Sequence, residues 1–193
     1  MRVCLSPLPI AAEAAFRRAV DVAPDDARGP LTLGRYLAKL SKPAEAIEQF
    51  YAAAVIDAEY FDEVKLGVGT ARAQQGRLKE ATQAFESAAR MKPQEQKLQA
   101  SLAEMQRTAT AVEEFSAGRS NAVANGLCGT PCQDIVDGAG VWTVCGITWA
   151  DGCGDESPPD GFTAQSKVHE MCELSCAYYS YVAEQQAAAK AAA

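Results

Sequence analysis

The residues best suited to chemistry are six of the seven cysteines, which all lie in the last third of the chain. They are Cys128, Cys132, Cys145, Cys153, Cys172 and Cys176. The first two and the last two form matched C-x3-C motifs, in which the paired residues are spaced about one helical turn apart. Cysteines clustered in this way form disulfides, ligate a metal or act as redox thiols.

Disulfide formation is the interpretation that this cysteine pattern favours. The number of cysteines is even, and so short a segment buries little core of its own. Each bridge would stabilise the fold by roughly 2–4 kcal/mol because it restricts the unfolded chain. Two facing C-x3-C helices predict three bridges: Cys128–Cys176, Cys132–Cys172 and Cys145–Cys153. This pairing is one of many connectivities that six cysteines allow.

Two other interpretations of the cysteines stay open. The four cysteines of the two motifs could ligate an iron–sulfur cluster, or His169 could join them in a zinc site. Structural zinc sites favour tighter C-x2-C knuckles, and known cluster motifs have other spacings. Reduced, buried cysteines that act as small apolar residues are the third interpretation. We therefore expect no metal and no cofactor, with a redox or metal-binding module (Fe–S or Zn) as the alternative.

The remaining composition argues against an enzyme. His169 is the only histidine, and the glycine-rich stretches lack the following helix and lysine of a phosphate-binding loop. The acidic run Asp151, Asp155, Glu156 and Asp160 does not have the spacing of a calcium loop. A net charge of −7 disfavours nucleic acid as a partner. Because no run of about 18 apolar residues occurs, we also expect no transmembrane helix.

The elements that precede the cysteines are set by an internal repeat. Residues 1–117 carry 15 basic and 16 acidic side chains, whereas residues 118–193 carry 3 and 9, so two modules are expected. In the first module an Ala–Phe–Ala pattern recurs with periods of 34 and 35 residues. Its copies are Ala12–Phe16–Ala19, Ala46–Phe50–Ala53 and Ala81–Phe85–Ala88, and the second and third are preceded by Leu33-Gly34 and Val68-Gly69. Small residues at fixed spacing allow close packing of paired helices.

This pattern resembles the tetratricopeptide repeat (TPR) family over residues 8–116. The resemblance implies an all-α solenoid of about two and a half repeats, whose first copy lacks its leading helix and whose last helix is a cap. It also implies a concave face that holds a peptide or another subunit. We expect helices at about 9–22, 28–40, 43–57, 61–75, 78–91 and 95–116. The inner positions that the resemblance indicates are Leu31, Thr32, Arg35, Gly67, Thr70 and Gln74.

The predicted domain organisation has four parts. Residues 1–10 are an N-terminal segment, 11–116 the TPR-like domain, 117–127 a linker and 128–193 a small cysteine-rich module that ends in a long helix. In that module Val141–Trp149 alternates as a strand does. Residues 151–161, rich in Gly, Asp and Pro, predict an irregular loop. From Thr163 onward we expect one continuous helix.

Seven side chains are candidates for binding a partner. Basic and aromatic residues of the repeats, and tyrosines of the final helix, have the polar-tipped character of interface residues. They are Arg35, Tyr36, Lys39, Arg72, Tyr178, Tyr179 and Tyr181. A solvated helix face or packing within the module explains the same residues.

Together these features predict a non-catalytic scaffold for protein–protein interaction. We expect an accessory subunit or assembly factor, peripheral to a larger organellar membrane complex, respiratory or photosynthetic. The twin C-x3-C motifs resemble those of oxidatively folded intermembrane-space proteins such as the small Tim chaperones. That resemblance implies an oxidising organellar compartment such as the mitochondrial intermembrane space. The thylakoid lumen or a secretory compartment would suit bridged cysteines equally well, and we expect the intermembrane space or the thylakoid lumen.

Overall fold

The structure is a computed structural model that describes residues 7–119, 131–153, 158–159 and 161–191, with side chains from residue 11 onward. Residues 1–6, the predicted linker from 120 to 127, Cys128, Asp155, Glu156 and Asp160 therefore lie outside the described residues. Within the described part the chain forms eleven α-helices. None of these helices is both long and apolar enough to cross a bilayer.

The first six helices occupy the segments that the repeat predicts. They are α1 (Pro7–Val22), α2 (Arg28–Lys39), α3 (Pro43–Ile56), α4 (Phe61–Gln74), α5 (Leu78–Met91) and α6 (Gln96–Ser116). Pro43 stands in the first turn of α3, where its missing N–H removes no helical hydrogen bond. Gly76, with φ +73°, makes the turn between α4 and α5. The predicted helix positions are confirmed, with ends that differ by one or two residues.

These six helices pack on one another in chain order. Each contacts the next, and α2 also contacts α4. Phe50 of α3 belongs to the largest core cluster among the described residues and is 1% exposed. On α6, Leu98 packs toward Phe85, and Val112 lies with Leu78 in a further cluster. Each such side chain contributes about 1.5–3 kcal/mol through burial.

Five further helices follow in the described part of the cysteine module, four of them short. They are α7 (Cys132–Ala139), α8 (Val141–Val144), α9 (Trp149–Cys153), α10 (Val168–Met171) and α11 (Ala177–Ala191).

The strand predicted over Val141–Trp149 is wrong. Gly140, with φ +80°, turns the chain so that α8 begins directly after α7. Val141 and Val144 are both buried, and their i,i+3 spacing places them on one face of a helix. The only strand-like pairing among the described residues is an isolated bridge between Thr148 and Lys167.

The continuous helix predicted from Thr163 is also wrong. Residues 163–166 form a turn in which Ser166 N donates to Thr163 O. The chain is non-helical again between α10 and α11, at residues 172–176, where Cys172 bonds Cys132 of α7 and Cys176 bonds Cys145, the residue after α8. The predicted loop begins later than expected, because 151–153 belong to α9.

The module is fixed to the repeat helices by specific contacts. Helix α7 packs on α3, and α11 packs on α6. Gln75 Nε2 donates to the backbone oxygen of Asp137 at 2.5 Å, and Arg77 Nη1 donates to the Asp137 carboxylate at 3.2 Å. A Cβ on Gly140 would stand 3.1 Å from the backbone oxygen of Gln74, so the two backbones approach closely.

Candidate partner-binding groove

An open groove runs between α2 and α4 on the face that the repeat resemblance indicates. Its cavity volume is about 420 Å³. Its lining residues are Arg35, Ala38, Lys39, Phe50, Glu63, Leu66, Gly67, Thr70 and Gln74. Four of the predicted inner positions therefore line the groove. Leu31 instead is 3% exposed in the core, and Thr32 lines a different groove beside α1.

The floor of the groove is the ring of Phe50. Gly34 of α2 lies against one part of the ring, since a Cβ there would stand 3.0 Å from Cδ1. Gly67 of α4 lies closer still, since a Cβ would stand 2.6 Å from Cε1 and 2.7 Å from Cε2. Real Cβ atoms essentially never approach another atom this closely. The two glycines therefore hold the ring in place, and the ring forms a buried apolar base beneath the groove, only 1% exposed.

The rim of the groove is charged and polar. Arg35 forms an ion pair with Glu63 across the groove, with side chains 55% and 36% exposed. Lys39 and Thr70 are exposed on the two opposite sides. Gln74 Nε2 donates to the backbone oxygen of Ala38 at 2.9 Å and so ties α4 to α2 at one end. An apolar floor with a charged rim suits a protein segment that carries both apolar and charged side chains.

The predicted basic and aromatic candidates of the repeats divide among three places. Arg35 and Lys39 share the groove. Arg72 lies in a separate cleft, where it contacts Glu80 at 3.5 Å and Gln75 Oε1 at 3.0 Å. Tyr36 packs against Phe16 with the two rings tilted and their centroids 5.0 Å apart. These four residues therefore do not form one surface.

Sequence reasoning missed Glu63, Leu66 and the floor residue Phe50. The groove residues of α4 recur at spacings of three or four, which places them on one face of the helix. They are Glu63, Leu66, Gly67, Thr70 and Gln74. That spacing was a usable signal. Phe50 was identified only as a packing residue, because its part in a groove depends on the glycines opposite it.

The predicted partner-binding tyrosines of α11 are half-buried against aromatic rings of the same chain. Tyr178 and Tyr179 meet the Trp142 ring at centroid distances of 5.5 and 5.7 Å, and Tyr181 meets Phe115 of α6 at 5.8 Å. Burial raises the pKa of Tyr178. These contacts attach α11 to α6 and to α8.

The cysteines form bridges in a connectivity that differs from the predicted one. Cys132 pairs with Cys172 and Cys145 with Cys176, at Cα–Cα distances of 5.8 and 5.7 Å. The predicted Cys132–Cys172 bridge is therefore confirmed. The predicted Cys128–Cys176 and Cys145–Cys153 bridges are wrong, because Cys145 and Cys176 bond each other. Cys153 is disulfide-bonded as well.

The two described bridges lie in the core of the module. Their four cysteines are between 0% and 4% exposed and pack with Val136, Trp149 and Met171. His169 Nδ1 lies 3.0 Å from the backbone oxygen of Cys145. A disulfide sulfur is not a thiolate, which is the form that ligates metals and attacks as a nucleophile. Among the described residues no group of three or more His, Cys, Asp or Glu is arranged to hold a metal ion.

No protein-family model matches the chain, and comparison with curated proteins finds no significant match. The function is therefore inferred from the residues and their geometry.

Proposed function

We propose that the protein is a non-catalytic scaffold whose TPR-type helical array binds a segment of another protein in the α2/α4 groove. The observation that carries this proposal is the groove itself, with the Phe50 floor held between two glycines and the exposed Arg35 and Lys39 on its rim. Both basic residues were candidates from the sequence. The resemblance of the repeat spacing to TPR proteins supports the same function.

The chemistry of the groove describes the segment that it binds. A cavity of about 420 Å³ accommodates a few side chains. An apolar side chain would pack on Leu66 and Gly67 above the buried Phe50 ring, and an acidic side chain beside it would pair with Lys39. Arg35 and Glu63 already neutralise each other across the groove, so Lys39 provides the main electrostatic preference.

The cysteine module supports a proposal for the cellular compartment in which this scaffold works. Two cysteine pairs at disulfide distance are compatible with an oxidising compartment. We place the protein in the mitochondrial intermembrane space or the thylakoid lumen, as an accessory subunit or assembly factor at the periphery of a respiratory or photosynthetic membrane complex. The bridges serve the fold in this proposal, because their sulfurs are buried.

Native fractionation tests the scaffold role. Organelle membranes are solubilised gently, and the protein is followed by blue-native electrophoresis and by crosslinking mass spectrometry. We expect it to migrate with a larger assembly, and we expect the double variant Arg35→Glu, Lys39→Glu to leave that assembly. A matched control, Lys79→Glu, Lys97→Glu, reverses two charges on α5 and α6 outside the groove and should stay. Migration of the wild-type protein as a free monomer, in fresh and crosslinked samples alike, would contradict the proposal.

A further inference from the structure

The cysteine module lies along one edge of the first six helices. These helices pack in chain order and are joined by short turns, so they run antiparallel, and the ends of α2, α4 and α6 share an edge with the starts of α3 and α5. A Cβ on Gly140 would stand 3.8 Å from Pro43 at the start of α3 and 3.1 Å from the backbone oxygen of Gln74 at the end of α4. Tyr181 meets the ring of Phe115 near the end of α6. The module therefore spans this edge from α3 to α6.

Two parts of the module dock on different helices. The first part, residues 132–145, contains α7 and α8. Helix α7 packs on α3, and Asp137 of α7 accepts hydrogen bonds from two side chains of the turn between α4 and α5. The second part is α11, whose first residue, Ala177, packs with Leu78 of α5 and Val112 of α6. The first part is thus attached to α3 and the second to α6.

Both described disulfides join these two parts. Cys132 of α7 bonds Cys172, and Cys145, directly after α8, bonds Cys176, which directly precedes α11. Trp142 of α8 also contacts α11, but it is 46% exposed and so adds little burial. Among the described residues the core cluster of the module has ten buried members, and four of them are these cysteines. Because so small a core needs covalent links for stability, the bridges hold the two parts together.

We propose that the cysteine module is a strap that oxidation closes across this edge, and that the closed strap fixes the angle between the α2–α3 hairpin and helices α4 to α6. In the reduced chain the two parts separate and this angle varies. For each bridge, two S–H bonds break and one S–S bond forms, and the two electrons and two protons reduce the disulfide of a thiol oxidoreductase to a dithiol. Because the closed bridges are buried, an attacking thiolate reaches their sulfurs slowly, so the strap stays closed once it has formed.

The strap contacts one end of the α2/α4 groove. The backbone oxygen of Gln74 lies against Gly140 of the module, and its side chain donates to the backbone oxygen of Ala38 in α2. A change in the angle between the hairpins would move α2 relative to α4 and alter the width of the groove. This consequence for binding rests on the function proposed above, whereas the strap itself does not.

Double electron–electron resonance tests the strap, because it measures the distance between two helices without any partner. Nitroxide labels are attached through p-acetylphenylalanine, which leaves the cysteines untouched, at the exposed residues Thr32 of α2 and Thr110 of α6. The matched control pair is Thr70 and Gln83, which are exposed and lie within the single α4–α5 hairpin. The full chain is measured oxidised and after reduction with a dithiol, with the number of free thiols checked by mass spectrometry.

The oxidised protein should give one narrow distance between α2 and α6. The reduced protein should give a distance distribution about twofold wider, because local restraints are lost when the strap opens. A variant with alanine at the four bridged positions should behave in the same way, and its changes are Cys132→Ala, Cys145→Ala, Cys172→Ala and Cys176→Ala. The control pair should keep its width in every sample. An equally narrow α2–α6 distance in the fully reduced protein would overturn the strap, and so would equal broadening of the control pair, which would assign the bridges a general role in stability.

A second variant opens the strap without changing a cysteine. Gln75→Ala with Arg77→Ala removes the hydrogen bonds to Asp137 and releases α7 while both bridges remain. The α2–α6 distance should widen in this oxidised variant as well, and an unchanged width would overturn α7 as an anchor of the strap. An empty groove in the native assembly, together with the expected distances, would refute the proposed function and support the strap, so the two failures are distinguishable.

Discussion

Replacement of Gly67 by alanine tests the packing on which the α2/α4 groove depends. The new methyl group would fall within 2.6 Å of Phe50 Cε1. The ring cannot simply move away, because Gly34 lies against it and because Phe50 is only 1% exposed. Helices α3 and α4 would have to separate to admit the methyl group.

Two opposing effects set the size of the change. Overpacking of a core costs about 1–3 kcal/mol. Alanine is favoured over glycine in a helix by about 1 kcal/mol, which offsets part of this. We therefore expect Gly67→Ala to lower the free energy of unfolding by ~0–2 kcal/mol. Gly138→Ala is the matched control, because Gly138 lies in helix α7 with no atom within 4 Å of its would-be Cβ.

The assay is urea unfolding followed by circular dichroism. The control should gain up to about 1 kcal/mol from helix propensity alone, so the two variants should differ by ~1–3 kcal/mol with Gly67→Ala the less stable. Phe50→Leu combined with Gly67→Ala should recover part of the loss relative to the single changes, because the smaller side chain makes room. Equal stability of Gly67→Ala and Gly138→Ala would refute the close packing of α3 and α4.

Three further changes probe other parts of the fold. The double variant Cys132→Ala, Cys172→Ala should have a free energy of unfolding about 2–4 kcal/mol lower than that of the wild-type protein in urea titrations. In the presence of a reductant the two proteins should have the same free energy of unfolding, because the wild-type bridge is then also broken. Burial acts to raise the pKa of Asp62, but the Lys92 ammonium and a backbone N–H outweigh it and hold this pKa below its usual range. The ion pair therefore stabilises the fold above pH about 4, and this stabilisation is lost as the pH falls through the lowered pKa of Asp62. Asp62→Asn should consequently reduce the fall in Tm that the wild-type protein shows at acid pH. An equally steep fall in the variant would contradict this explanation. Gln75→Ala removes the hydrogen bond to the backbone oxygen of Asp137 in α7 and should lower the free energy of unfolding by ~1–3 kcal/mol. It should also speed proteolysis of the cysteine module. Unchanged cleavage would show that this hydrogen bond does not hold the module on the repeat helices.

The positions of the first six helices were predictable because the residues that pack between helices and the residues that end them indicate the same segments. The Ala–Phe–Ala spacing gives the helical face, and residues such as Pro43 and Gly76 give the ends. The groove was predictable only in part. Arg35 and Thr70 lie where the repeat spacing places them, but Phe50 becomes a floor only because Gly34 and Gly67 admit it.

The cysteine module was less predictable because its fold depends on long-range bridges. Alternation over residues 141–149 suggested a strand, yet Cys145 is bonded to a cysteine 31 residues away and its neighbours pack as short helices. Cys176 was assigned the wrong partner because the spacing of two cysteines within one C-x3-C motif does not indicate which distant cysteine each of them bonds. Backbone turns at Gly140 and at residues 172–176 decide that pairing.

Site-specific photocrosslinking tests the scaffold function most directly. Benzoylphenylalanine is placed at Thr70 in the α2/α4 groove or at Thr110 on α6. Both threonines are exposed helix residues whose hydroxyls donate to the backbone oxygen four residues earlier, at 2.9 and 3.1 Å, so the two sites are locally matched. We expect illumination of the native assembly to link a partner protein to position 70 and not to position 110. No protein linked at position 70, or the same product from both positions, would contradict binding in the groove.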